Sequence, residues 1–251
     1  MKLKNSIPNT ITSLNLLCGV IAVILAFRGE EIWAVYLVFA AAIFDFLDGF
    51  FARLLNAYSP MGKELDSLAD LISFGMVPAV LALKRYEIFL TGDSGLSTDS
   101  SAPFLISLIP LVIVLFSALR LAKFNVDTRQ SSSFIGLPTP ANAILIVSFI
   151  HFTDSSAIFS SLESTIWFWP ALSLLLSFLL VSEIPMFSLK FKTLRWRENK
   201  TMFGFLIYSS ITAIIFAAIS IKWSGWMALI IVSYIIFNFS SHLITKKPNQ
   251  L

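Results

Sequence analysis

Four aspartates, Asp45, Asp48, Asp66 and Asp70, stand inside apolar segments of a 251-residue chain. Asp45 and Asp48 are three residues apart and Asp66 and Asp70 four apart, so each pair shares one face of a helix. An ionisable side chain at the centre of a spanning helix costs about 2.5–3.5 kcal/mol on insertion scales. Clustered carboxylates also repel one another, so some must be protonated or cations must neutralise them. Hard divalent cations, Mg2+ or Mn2+, suit oxygen donors best, and four carboxylates have oxygens enough for two ions about 3.5–4 Å apart. His151 and His242 are remote in sequence and read as interface residues, so zinc is not expected.

The surrounding pattern must bring these acids together. Hydrophobic residues make up 57% of the chain and charged residues only 13%, where soluble domains carry about 25% charged. The mean hydropathy is +0.82. The apolar residues come in long runs, which predicts an all-α, polytopic membrane helix bundle, since a span needs roughly 20 apolar residues. About eight spans are expected, over residues 9–27, 32–55, 62–84, 103–121, 137–152, 165–184, 202–221 and 226–244. The fifth is short. The first follows a charged Met1-Lys2-Leu3-Lys4 start but has no small-residue cleavage site after Phe27, so it is expected to be retained. The lone cysteine, Cys18, sits in an apolar run and is assigned to packing. The whole chain is expected to be one integral membrane domain, its motifs within about residues 1–155 and further helices over about 165–244.

With the N-terminus inside, fourteen of the eighteen Lys and Arg residues fall on the cytoplasmic side. The basic run 190–200 then faces the anionic leaflet, and the Gly/Ser/Asp-rich run 91–101 is an outer loop. Both termini and the active site are expected to face the cytoplasm in an integral membrane protein, of the cytoplasmic membrane if the source is bacterial. At 1.5 Å per residue, Asp45 and Asp70 lie roughly 20 and 21 Å below the outer surface, and Asp48 and Asp66 about 24 and 27 Å. All four therefore converge towards the cytoplasmic side of a core about 30 Å thick.

The residues between the acids add detail. Gly49 bares the helix surface for close approach, Ala52 is small, Arg53 can grip a phosphate, and Gly62 opens the next helix. The run Asp45-Phe-Leu-Asp48-Gly49-Phe-Phe-Ala52-Arg53, then eight residues, then Gly62-Lys-Glu-Leu-Asp66-Ser-Leu-Ala-Asp70, resembles the signature of the CDP-alcohol phosphatidyltransferase family at all eight fixed positions. The resemblance implies two divalent metals held by Asp45, Asp48, Asp66 and Asp70. It implies a CDP-lipid bordered by Asp48, Gly49, Ala52, Arg53, Gly62 and Asp66, and Asp70 as the general base. Asn9 and Thr12 open the first span at the same level and are candidate nucleotide contacts, with helix capping as their plain alternative.

Three further blocks resemble the membrane-embedded, serine-using members of that family: 8–19, 66–79, and 120–126 followed by 134–141. These imply transfer of a phosphatidyl group from CDP-diacylglycerol to L-serine with release of CMP. Arg120, Lys123, Asn125 and Arg129 are the candidates for serine binding, Arg120 and Lys123 having span termination as their alternative role. No His-x-Lys pair is present for the soluble, phospholipase-like chemistry. The same transfer to glycerol 3-phosphate or inositol phosphate is an alternative, although a dianionic acceptor calls for a denser basic pocket. A cation transporter is a second class of function; acids confined to two adjacent helices near one face, without an inverted repeat, count against it. The lipid bilayer is an expected partner, a homodimer is compatible with the resemblance, and no nucleic acid is expected.

Overall fold

The computed structural model describes residues 3–92, 102–127, 134–187 and 199–246. Arg129 and nearly all of the runs 91–101 and 190–200 lie outside the described residues. The rest is a helical membrane bundle. Two long helices come first, α1 (Leu3–Phe27) and α2 (Glu31–Leu54). The chain reverses after α2 through Asn56, at φ +48°, and Ser59 caps α3 (Pro60–Asp70) by accepting from the Gly62 amide at 3.0 Å. Pro60 at the first turn of α3 suits a helix start, where its missing N–H costs nothing.

The third span changes geometry in its middle. Asp70 is followed by a π-helical turn, Leu71–Met76, and then by α4 (Val77–Thr91). Pro78 cannot donate the α-helical bond to the carbonyl of Phe74, and the widened turn just upstream absorbs the proline without ending the span. The π turn is wedged between two neighbours through small residues. A β-carbon on Gly19 of α1 would sit 2.5 Å from Ser73 Oγ and 2.9 Å from Ser73 Cα. One on Gly75 would sit 3.1 Å from Ser117 Cβ, on α6 (Val112–Val126). Close approach of helix backbones through small residues is the usual way membrane helices gain packing contact.

Six helices among the described residues are long and apolar enough to cross a membrane, or seven if one bent pair counts as a single span. That pair is α7 (Thr139–Thr153) with α8 (Ala157–Glu163), turned by 118°. It accounts for the short fifth segment of the sequence pattern. The expected sixth is α9 (Phe168–Val181), 14 residues and so only about 21 Å long. The expected count of eight thus includes one bent and one short element. A short α5 (Ala102–Ser107) precedes α6.

The third span is the axis of the bundle: 61% of its most apolar stretch is buried, against 6% for α10 (Lys200–Ala218) and 11% for α11 (Trp223–Lys246). Ala22, Ala26, Ala34, Ala41, Phe74 and Leu81 lie in the main buried cluster. At the end of the bundle away from the aspartates, Arg85 donates to Glu31 at 2.6 Å and to Asp154 at 2.8 Å, with Glu163 at 3.8 Å. Those four charges come from the segments expected on the outer side. His151 is buried at that end, with Nδ1 2.9 Å from Ser224 Oγ, so it packs α7 on α11 rather than meeting the membrane interface.

The wedge at Gly19 is testable. Gly19→Ala should destabilise the protein by about 1–3 kcal/mol, the usual cost of overpacking. Gly204→Ala on α10, where a β-carbon would meet nothing within 4 Å, should be neutral or slightly stabilising. Thermal unfolding of both variants in detergent checks the contrast.

Candidate active site

Three helices supply the site. From α1 come Asn9, Thr12 and Asn15, spaced by three and so on one face. Thr12 Oγ1 donates to Asp48 Oδ2 at 2.6 Å, and Asn15 Nδ2 reaches Asp70 Oδ1 at 3.4 Å. The carbonyl of Asn15 in turn accepts from Ser73 Oγ at 2.9 Å, which fastens α1 to the π turn. Asn9 was singled out with Thr12 from the sequence; Asn15 was not, although the same three-residue spacing points to it.

From α2 and α3 come the acids. Carboxylate oxygens of Asp45, Asp48 and Asp66 all lie within 4.8 Å of one another. Asp48 and Asp70 are buried, Asp45 and Asp66 half-buried. Asp70 is in charge interaction with Asp45, Asp66 and Asp48, of its own sign, and with Arg120, of the opposite sign. An oxygen-only set of three carboxylates from two helices fits a hard divalent cation by its donor chemistry.

Asp48 and Asp66 open onto a pocket of about 200 Å³. Asn9, Thr12, Asp48, Gly49, Ala52 and Gly62 all line it, as does Asp66. The sequence pattern did not single out its remaining walls, among them Tyr58, Ser59 and Lys63. Tyr58 and Ser59 belong to the reversal between α2 and α3 and Lys63 to the first turn of α3, a path that only the fold supplies. Arg53 is exposed at the end of α2; its Nη1 lies 3.7 Å from where a β-carbon on Gly49 would sit, so the guanidinium arches over that bare stretch of helix. Gly62 is tight, since a β-carbon there would lie 2.9 Å from Asn9 Oδ1.

The basic candidates come from the end of α6. Arg120 is buried on α6, donates through Nη1 to Thr139 Oγ1 at 3.0 Å, and lies 5.4 Å from the centre of the Phe124 ring. Lys123 is ion-paired to Glu183 at 2.6 Å. Asn125 is tied to α3: its Nδ2 donates to Ser67 Oγ at 2.9 Å and its carbonyl accepts from Lys63 Nζ at 2.8 Å. The structure thus ties Asn125 to α3, sets Arg120 in charge interaction with Asp70, and turns Lys123 to Glu183.

A family model for CDP-alcohol phosphatidyltransferase matches residues 5–179. The chain belongs to that family. Among its curated relatives, a Helicobacter pylori protein is 38% identical over 142 residues, 56% of this chain and 55% of the relative. A Bacillus subtilis protein is 38% identical over 149 residues, 59% of this chain and 77% of the relative. A Methanocaldococcus jannaschii protein is 34% identical over 179 residues, 71% and 72% of the two chains. Each of the three is named CDP-diacylglycerol–serine O-phosphatidyltransferase. The match spans about half the length of the Helicobacter relative. The family segment holds every described residue of the aspartate pocket and the basic side chains beside it, and ends within α9.

The bond between Thr12 and Asp48 fixes one of the acids in this family's pocket. Thr12→Val should lower stability by about 1–3 kcal/mol, because a buried carboxylate loses a donor. Thr12→Ser keeps the hydroxyl and should fall close to the parent in thermal unfolding.

Proposed function

We propose that this chain transfers the phosphatidyl group of CDP-diacylglycerol to L-serine, releasing CMP and forming phosphatidylserine. The observation that carries the proposal is the meeting of Asp45, Asp48 and Asp66 at a small pocket, in a chain whose relatives bear that enzyme's name. Asp45, Asp48, Asp66 and Asp70 are assigned as ligands of two divalent ions, Mg2+ or Mn2+. Such ions, when bound, offset the charge of a diphosphate and of the departing phosphate oxygen.

The chain's own residues do the rest. Asn9, Thr12, Asp48, Gly49, Ala52, Arg53, Gly62 and Asp66 border the CDP moiety. Gly49, Ala52 and Gly62 present little side chain, so a nucleotide can lie against the backbone. Arg53 and Lys63 bring positive charge to the phosphates. Arg120 takes the serine carboxylate, with Lys123, Asn125 and Arg129 as the remaining candidates for serine's polar groups. Asp70, next to Arg120 in charge interaction, accepts the hydroxyl proton of serine. The serine oxygen attacks the phosphorus that carries diacylglycerol, the bond from that phosphorus to the CMP oxygen breaks, and CMP leaves with the electron pair. The lysine and arginine bias supports a cytoplasmic site and cytoplasmic termini in a single integral membrane domain.

Purified protein in mixed micelles with CDP-diacylglycerol should release CMP with serine, and only when a divalent metal is supplied. Glycerol 3-phosphate and inositol phosphate in the same panel should give little. No release with serine under any divalent metal refutes the proposal. Asp70→Asn should cut turnover about 100-fold or more, the usual share of a general base, while Mn2+ binding read by electron paramagnetic resonance is partly kept. Asp66→Asn should weaken Mn2+ binding in the same measurement, a readout independent of turnover.

A further inference from the structure

The helices beyond the family segment carry no assigned role, yet one of them reaches back towards Arg120. Residues 182–187 follow α9 and include β2 (Pro185–Met186), which pairs antiparallel with β1 (Phe134–Ile135). The pairing continues: Gly136 N donates to Ile184 O and Leu137 N to Leu179 O, both at 2.9 Å. Gly136 has φ +77°, and a β-carbon there would lie 2.5 Å from Leu180 O, so only glycine fits the seam. Three residues on stands Thr139, the hydroxyl that accepts from Arg120. Glu183, in the same segment, holds Lys123. The strand pair therefore fixes the partners of both basic side chains.

The strand pair is itself held by α11. Tyr234 Oη donates to the carbonyl of Phe187 at 2.9 Å, and Asn238 Oδ1 accepts from the amide of Phe187 at 2.9 Å. The two side chains are four residues apart on one face of α11, and together they satisfy both backbone groups of a single residue. Asn238 is buried, and its Nδ2 donates to Tyr234 O at 2.7 Å, which locks its orientation. The Tyr234 ring packs on Phe187 at 5.0 Å between centroids. Nearer its start α11 packs on α7, with Ser224 bonded to His151; further along, Val232, Ile236, Phe237 and Phe239 are exposed, so two polar contacts from this stretch to one backbone position mark a specific attachment.

We propose that Tyr234 and Asn238 are positioning residues for the acceptor subsite. By clipping Phe187 they hold the β1–β2 seam, which sets Thr139 against Arg120 and Glu183 against Lys123, and so aims the two cations at the acceptor's carboxylate. This rests on the assignment of Arg120 to the serine carboxylate. It extends the functional unit past the family-matched residues into the C-terminal helix.

The test is the kinetics of CMP release by the full chain in mixed micelles, with serine and CDP-diacylglycerol varied in turn. Tyr234→Phe keeps the ring and its packing and loses only the hydroxyl. It and Asn238→Ala should each raise the KM for serine roughly fivefold, the scale of one net hydrogen bond, with kcat and the KM for CDP-diacylglycerol within twofold of the parent. Asn238→Asp, which retains an acceptor for the Phe187 amide, should recover most of the loss. An unchanged serine KM in Tyr234→Phe overturns the proposal. So does a parallel loss in both KM values and kcat, the mark of a merely structural helix. Arg120→Lys separates this idea from its premise: if it leaves the serine KM unchanged, the carboxylate assignment fails. If it raises that KM while the clip variants do not, the clip alone fails.

Discussion

Everything in this molecule is arranged around one electrostatic difficulty, the convergence of carboxylates inside a low-dielectric slab. Each acid at span depth costs several kcal/mol, and close neighbours of the same sign raise the cost. Asp45, Asp48 and Asp66 nevertheless approach within 4.8 Å, and Asp70 shares their field. The fold offsets this locally rather than by dispersing the charges. Thr12 donates to Asp48, Asn15 reaches Asp70, and Arg120 interacts with Asp70 as a charge of opposite sign. The proposed cation-binding role would account for the acids remaining together.

Holding α1 against the acids requires that backbones come close. Gly19 lets α1 touch the π turn, and Gly75 lets the π turn touch α6. The widened turn follows Asp70 directly, so the residue assigned as base sits where helix geometry changes. Such π turns concentrate at functional sites because they displace side chains from the regular helical register. Here Pro78 gives the turn a local cause.

Charge is partitioned along the bundle axis. The acids collect at one end, and at the other Arg85 gathers Glu31, Asp154 and Glu163 from three separate segments. The buried Lys84–Glu87 pair, 2.9 Å apart, belongs to that same end. These contacts tie α2, α4 and the bent α7–α8 pair together away from the pocket, leaving the aspartate end open to ligands. Of the C-terminal helices, α11 packs on α7 through Ser224 and Gly225 and holds Phe187 through Tyr234 and Asn238.

The sequence by itself determined the helical membrane class, the pairing of acids on two helix faces, and their common depth, because those follow from periodicity, spacing and rise per residue. It also carried the family signature, every position of which has a place in or beside one pocket except Asp45 and Asp70, which stand with it in the acid cluster. Only the tertiary structure decided what those positions touch. Spacing puts Asn15 on the face of Asn9 and Thr12 but cannot name its partner or that of Lys63, which lie 55 and 62 residues away. The bent fifth and short sixth segments were equally hidden, because hydropathy measures how apolar a stretch is and not how it turns. Lys123 is a serine-binding candidate by its sequence, and only the fold shows that Glu183, 60 residues later, holds it. Contacts between distant segments depend on how helices are brought side by side, and no local pattern encodes that.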